Sequence, residues 1–352
     1  MEFDNLTTDL CFDDILLVPK YSNVESRSDV SLESVLGNPN NPSAWIYLGI
    51  PVMTAPMEFI NSTSMIEEIV EFGGMAFVQR YQDNEQRFIQ FNLLKDEIRK
   101  TNRVAFAISV EEAEDPDFIN KALRNNIRTL SIDTAFGHTT YSINAVKKLR
   151  SLIPDDIHIM IGSVSSYDAY LDLMNAGADS VRVGIGGGSA CTTRIVTGFG
   201  VPVLGSIMDI YKNIKNDKVN GIIADSGIKQ TGDILKALAA GASVAMMGYM
   251  FAGHEECDGK QDGKFLFRGL ASESIKVDNL GSHTDEGGLR HIEGVSGYLE
   301  SKGSIQNTLK QMSENIRSGF SYCGSKNVNS FKNDCKFIKA SPQSLQESQS
   351  RI

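Results

Sequence analysis

One stretch of the chain concentrates residues that can do chemistry: Val183-Gly-Ile-Gly-Gly-Gly-Ser-Ala-Cys-Thr-Thr-Arg194. Glycines at 184, 186, 187 and 188 tolerate unusual backbone angles and let bare backbone approach a ligand. A lone cysteine follows, with two threonines and an arginine. A thiol set among N–H donors and beside a cation is disposed to ionise and attack an electrophile. Cys191 is therefore read as a nucleophile rather than as a small buried hydrophobe. The run is not a dinucleotide fingerprint, because the third glycine of GxGxxG is missing and no βαβ unit opens the chain. Ala224-Asp-Ser-Gly227 and Met247-Gly-Tyr-Met250 put glycine where backbone amides can cradle a phosphate. The Asp225 carboxylate there is placed to accept from sugar hydroxyls. Asp133-Thr-Ala-Phe-Gly-His138 is a further ligand-loop candidate. His254, Glu255, Glu256 and Cys257 are contiguous but lack a second ligand pair at metal spacing, so no transition metal is assigned.

These loops need strands to hold them. Eight short runs rich in Val, Ile, Ala or Met occupy 51–55, 74–78, 104–110, 129–133, 158–162, 180–185, 221–225 and 243–248. They show little alternation, as expected of parallel strands covered on both faces, and helical spacing separates them. Eight strand–helix units predict a (β/α)8 TIM barrel of one domain, spanning 51–339, with its chemistry at the C-terminal strand ends. Residues 1–50 are expected to pack across the end of the barrel, 265–303 to form a C-terminal flap segment, and 340–352 to be a flexible tail. The 352 residues carry a formal charge of −10, which argues against a nucleic-acid protein, a role that usually needs a basic face. The longest apolar run, 242–253, is too short to span a membrane, and the first ten residues lack the basic start of a secretory signal. Five cysteines with no CxxC pair point to a reducing, cytoplasmic setting.

Together these segments resemble the IMP dehydrogenase/GMP reductase family. The likeness is carried by Phe12-Asp-Asp-Ile-Leu-Leu-Val-Pro-Lys20, Ser26-Arg-Ser-Asp-Val30, the cysteine loop 184–194, Ala224-Asp-Ser-Gly-Ile228, 236–242, 247–253 and Arg317-Ser-Gly-Phe-Ser-Tyr-Cys-Gly324, in register from about residue 9 to 339. It implies a (β/α)8 barrel, commonly a homotetramer, that binds a purine nucleoside monophosphate and a nicotinamide cofactor. By position it makes Cys191 the nucleophile on purine C2 and puts Asp225 on the ribose hydroxyls. Ser189, Gly227, Gly248, Tyr249, Gly269 and Arg290 fall around the nucleotide, and Asp133, Ala135, Gly137 and Ser163 near the cofactor. Carbonyls of Gly186, Gly188 and Cys191 would hold a monovalent cation, potassium, in members that use one.

Two branches share these features. Dehydrogenases usually insert a pair of regulatory domains after the second strand, whereas 82–102 accommodates one helix. Their flap carries an Arg-Tyr pair that activates water, and 275–292 contains none. Segment 267–273 resembles the reductase, which implies Thr193 with Glu273 as the proton-transfer pair, and Arg290-His-Ile-Glu-Gly294 matches the reductase spacing. The resemblance thus implies NADPH-dependent reductive deamination of GMP to IMP and ammonia. The alternative is oxidation of IMP to XMP with NAD, or a related reaction on a modified purine nucleotide. Departures from both branches are Gly187 for the usual Pro, Ser163 for the usual Asn and Met57-Glu58 for Met-Asp. Asp133-Thr-Ala-Phe-Gly-His138 and Gly294-Val-Ser-Gly297 look more like the dehydrogenase. A nucleotide-binding regulator without catalysis and a flavin-binding barrel are the readings from other classes.

Overall fold

The computed structural model describes residues 9–214, 219–269, 271–272 and 292–348. Its centre is eight parallel strands: β1 (Val52–Thr54), β2 (Ala76–Val78), β3 (Val104–Ile108), β4 (Thr129–Asp133), β5 (His158–Val164), β6 (Ser180–Val183), β7 (Ile222–Asp225) and β8 (Val244–Met247). They pair in the order β1-β8-β7-β6-β5-β4-β3-β2. The ring closes ahead of β2, where Met75 N donates to Val52 O and Thr54 N donates to Met75 O. The eight runs expected to be strands each overlap one of these.

The strands are mostly apolar, and strand parity sorts their side chains into two cores. Val104, Phe106, Ile108, Leu130, Ile132, Ile159, Ile161, Val181 and Val183 join the core shared with the outer helices. Phe77, Ala105, Ala107, Met160, Ile223, Val244 and Met246 fill the barrel. The same parity sends Asp133, Arg182 and Asp225 inward at the C-terminal end, and His158 and Ser180 inward at the other. Helix starts follow their sequence signals: Ser62, Asp83, Ser109, Thr139 and Ser166 each accept a backbone N–H of the helix they precede.

Ile305–Ser321 supplies the eighth outer helix, packing against Thr231–Ala239 and Thr63–Glu71. It follows an excursion from β8 that contains the antiparallel strands Lys260–Gln261, Lys264–Arg268 and Ser296–Leu299. Before β1, a hairpin of Ser34–Leu36 and Ile46–Leu48 covers the N-terminal end of the barrel, its Leu36, Ile46 and Leu48 completing the inner core. Ile15–Leu17 pairs with Phe337–Lys339. Where a flexible tail is expected, Pro342–Glu347 forms a helix; the Ser341 hydroxyl accepts from Ser344 N, and Pro342 opens the first turn without an N–H to satisfy. Among the described residues no helix is long and apolar enough to cross a membrane.

Candidate active site

The cysteine loop leaves β6 and runs into the short helix Thr193–Thr197. Arg194 staples its base, donating from Nη2 to Val201 O at 2.9 Å and to Ile185 O at 3.3 Å. Two returning segments hold the loop from the other side. Thr192 N donates to Glu293 O at 2.8 Å and Val295 N to Ala190 O at 3.0 Å; behind them, Gly269 N donates to Val295 O and Glu293 N to Ala271 O, both at 3.0 Å. A Cβ on Gly269 would stand 2.7 Å from Ala190 O, so this packing requires glycine.

That backbone pairing delivers a carboxylate to the cysteine. The Cys191 thiol donates to Thr193 Oγ1 at 3.1 Å, and the Thr193 hydroxyl donates to Glu293 Oε2 at 2.6 Å. The carboxylate expected here, Glu273, lies outside the described residues, as does Arg290. A threonine hydroxyl has one proton to give, and it goes to Glu293. The sequence does carry a trace of this residue, the Glu-Gly of Arg290-His-Ile-Glu-Gly294, but locally that motif shows spacing and no role.

A ladder of alternating charges crosses the barrel mouth. Arg182 donates from Nη1 to Asp133 Oδ1 at 2.6 Å and from Nε to Asp225 Oδ2 at 2.9 Å. Arg80 Nε donates to Asp133 Oδ2 at 3.1 Å, and Arg80 Nη2 to the Tyr81 hydroxyl at 3.0 Å. Gly162 on β5 lies opposite Arg182 in the sheet; a Cβ there would meet Arg182 Cβ at 2.4 Å, so the missing side chain gives the arginine its path. Burial pushes the Asp133 carboxyl up, but Arg182 and then Arg80 outweigh it and hold it below the ordinary carboxylate value. Neither arginine was singled out from sequence, although an arginine inside Ser180-Val-Arg-Val183 can be buried only with carboxylate partners.

The ladder involves two residues expected near the cofactor. Both Asp133 oxygens face guanidinium groups and its side chain is 4% exposed, whereas its partner Arg80 is 28% exposed. Ser163, expected beside the cofactor, donates its hydroxyl to Asp225 Oδ2 at 3.2 Å. Asp225 keeps its other oxygen clear of any hydrogen bond from the described residues, as a ribose-binding carboxylate requires. Ala135 is exposed and Gly137 buried, its N–H bonded to Ser163 O.

On the nucleotide side, Ser189 and Tyr249 are exposed and Gly227 and Gly248 partly so. Two buried polar atoms at the mouth have no partner among the described residues, Gln79 Nε2 after β2 and Ser226 Oγ in the β7 turn; such groups fit a mouth completed by a bound nucleotide and cofactor. In the cysteine loop, Gly188 O accepts Cys191 N at 3.1 Å. The Gly186 and Cys191 carbonyls accept no backbone N–H among the described residues, and so fit a monovalent cation. The histidines serve elsewhere: His138 Nε2 lies 2.9 Å from Asp172 Oδ2, and His254 is buried between Phe251 O and Thr308 Oγ1.

The family model of the IMP dehydrogenase / GMP reductase domain matches residues 9–351. The inosine-5'-monophosphate dehydrogenase of Borreliella burgdorferi is 30% identical over 96% of each chain. The GMP reductase of Yersinia enterocolitica is 30% identical over 95% of each. A variant GMP reductase of Trypanosoma brucei, solved in complex with guanosine 5'-monophosphate, shares the fold with a TM-score of 0.86 at 22% identity, covering 100% of this chain and 99% of its own.

Proposed function

Because the chain belongs to the IMP dehydrogenase/GMP reductase family, a family of oxidoreductases, we propose that it converts GMP to IMP and ammonia with NADPH as reductant. The Cys191–Thr193–Glu293 chain carries this reading. Both of its hydrogen bonds point toward Glu293, so the thiol proton can pass through the Thr193 hydroxyl as Cys191 attacks purine C2. The C–S bond forms, and Glu293 holds the proton as a carboxylic acid. The reverse path delivers that proton to the departing 2-amino nitrogen, the C2–N bond breaks, and ammonia leaves. A bound reduced nicotinamide supplies hydride to C2. The C–S bond then breaks with its electron pair returning to sulfur, and solvent reprotonates the thiolate. The hydride has then replaced the amino group at C2, and the thiol's proton has left with the nitrogen as ammonia.

The remaining groups bind and orient. Asp225 takes the ribose hydroxyls with its free oxygen, and Arg182 keeps it aligned with Asp133. Ser189, Gly227, Gly248 and Tyr249 surround the phosphate. Gly186, Gly188 and Cys191 would offer carbonyl oxygens to potassium, which supplies a fixed charge under the loop. Ile195, Val196 and Phe199, 83%, 58% and 76% exposed beside the cysteine loop, suit a homotetramer in which another copy covers them. Five free thiols suit a cytoplasmic setting.

Reduced-nicotinamide absorbance tests the reading. It is expected to fall with GMP and NADPH while IMP and ammonia accumulate. A rise with IMP and NAD would assign the dehydrogenase reaction, which the Borreliella relative supports equally in identity. Silence in both would reject GMP and IMP as substrates and point to a modified purine.

A further inference from the structure

Lys302 stands apart from the other cations of this end of the barrel. Arg182 and Arg80 face Asp133 and Asp225, Lys229 faces Asp13, Lys264 faces Glu300, and Arg194 is occupied by two carbonyls. Among the described residues no carboxylate comes within ion-pair distance of Lys302; nearby Glu256 is engaged by Ser304 Oγ and Ile305 N. The Lys302 ammonium instead donates to Tyr249 O at 2.6 Å and lies 4.4 Å from the centre of the Tyr249 ring. That ring is set edge-on to Phe267, with centroids 5.8 Å apart. Backbone bonds fix the arrangement, since Lys302 N donates to Gly253 O at 2.8 Å and Glu255 N to Gly303 O at 3.1 Å. The segment after Ser296–Leu299 is thus sewn to the loop after β8, with a positive charge, paired by no carboxylate among the described residues, held against Gly248-Tyr249.

We propose that Lys302 is the countercharge for the nucleotide 5′-phosphate, an assignment that rests on the function proposed above. Backbone amides present only partial charges to a phosphate dianion. The chain around them is acidic overall, with a formal charge of −10. An ammonium bonded to a carbonyl, with no carboxylate partner among the described residues, adds a full charge without an ion pair there to break when the anion arrives. By bonding the Tyr249 carbonyl it also fixes the peptide turn that faces the phosphate. Lys302 is therefore a binding and positioning residue, remote from purine C2.

Calorimetry and steady-state kinetics on the full chain, with GMP and with guanosine, test the proposal. Lys302→Met is expected to raise Kd and KM for GMP about tenfold while kcat and guanosine binding stay within about twofold of wild type. Lys302→Arg should restore most of the GMP affinity. Added salt should weaken GMP binding less in Lys302→Met than in wild type. Equal losses for GMP and guanosine would reduce Lys302 to a packing residue, and unchanged GMP affinity in Lys302→Met would remove it from the site. Either result overturns the proposal and leaves the function standing. A wild-type chain that binds neither GMP nor IMP overturns both.

Discussion

At the N-terminal end of the barrel interior, His158 bridges Ala44 O at 2.8 Å and Ser180 Oγ at 2.7 Å, Ser243 Oγ meets Asn220, and Ser34 Oγ donates to Ser243 O. At the C-terminal end the inward groups are Asp133, Arg182 and Asp225. Strand parity delivers both sets, but the first is neutral, satisfied within itself and covered by a hairpin. Burial holds the His158 imidazole below its ordinary pKa, so it stays uncharged there. The second set is ionic and lies under glycine-rich loops, where the side chain of Asp225 remains 14% exposed. Neutral polar groups can be sealed once their hydrogen bonds are made, whereas buried charges are retained where their fields are used. The contrast locates stability at one end and chemistry at the other, the division expected of this barrel type.

Four experiments bear on that division, beginning with the largest effect. Cys191→Ala should reduce turnover to background while nucleotide binding and unfolding remain those of wild type; measurable steady turnover would exclude the covalent step. Arg182→Met strips two inward carboxylates of a shared partner and should destabilise the fold by about 3–5 kcal/mol in urea titrations. An effect under about 1 kcal/mol would mean the ladder is not held by charge. Glu293→Gln should lower turnover about 100-fold with little change in thermal midpoint. Glu273→Gln, tested beside it, should stay within a few-fold of wild type, and the opposite ranking would return the proton-transfer role to Glu273.

The smallest effect is the most informative about the two ends, because they lose stability in different pH windows. His158 has a lowered pKa in the fold, so its contribution is complete above the unfolded value of about 6.5 and declines by up to about 1.4 kcal/mol per pH unit below it. Asp133 also has a lowered pKa but is a carboxylate, so its contribution is present above about 4 and lost only as pH falls further. Urea unfolding between pH 7 and 5 should therefore report His158 together with His254, whose pKa burial also lowers, and His158→Gln should reduce that slope. An unchanged slope would place the sensitivity in other histidines.

The barrel is legible in the sequence because buried parallel strands leave a local mark, short runs of apolar residues separated by helical spacing. The cysteine loop is legible for the same reason, since its residue types are contiguous. Glu293 is not, because its place depends on residues 293–295 pairing with 190–192, a contact between distant segments that no local spacing encodes. Arg182 is hidden differently: it looks like an interruption of a strand until its parity is matched to Asp133 and Asp225. The helix Pro342–Glu347 is missed because a Ser/Gln-rich composition outweighs a single capping serine.

Ser272 and Gly294 bridge one another, so the described backbone on the two sides of 273–291 is pinned at a single point. Closing a loop becomes harder only with the logarithm of its length. The pairing of 293–295 with 190–192 lies outside 273–291, so a change of length there leaves intact the contacts that seat Glu293 beside the cysteine loop. That stretch can then vary as a cassette while the Cys191–Thr193–Glu293 hydrogen-bond chain is kept.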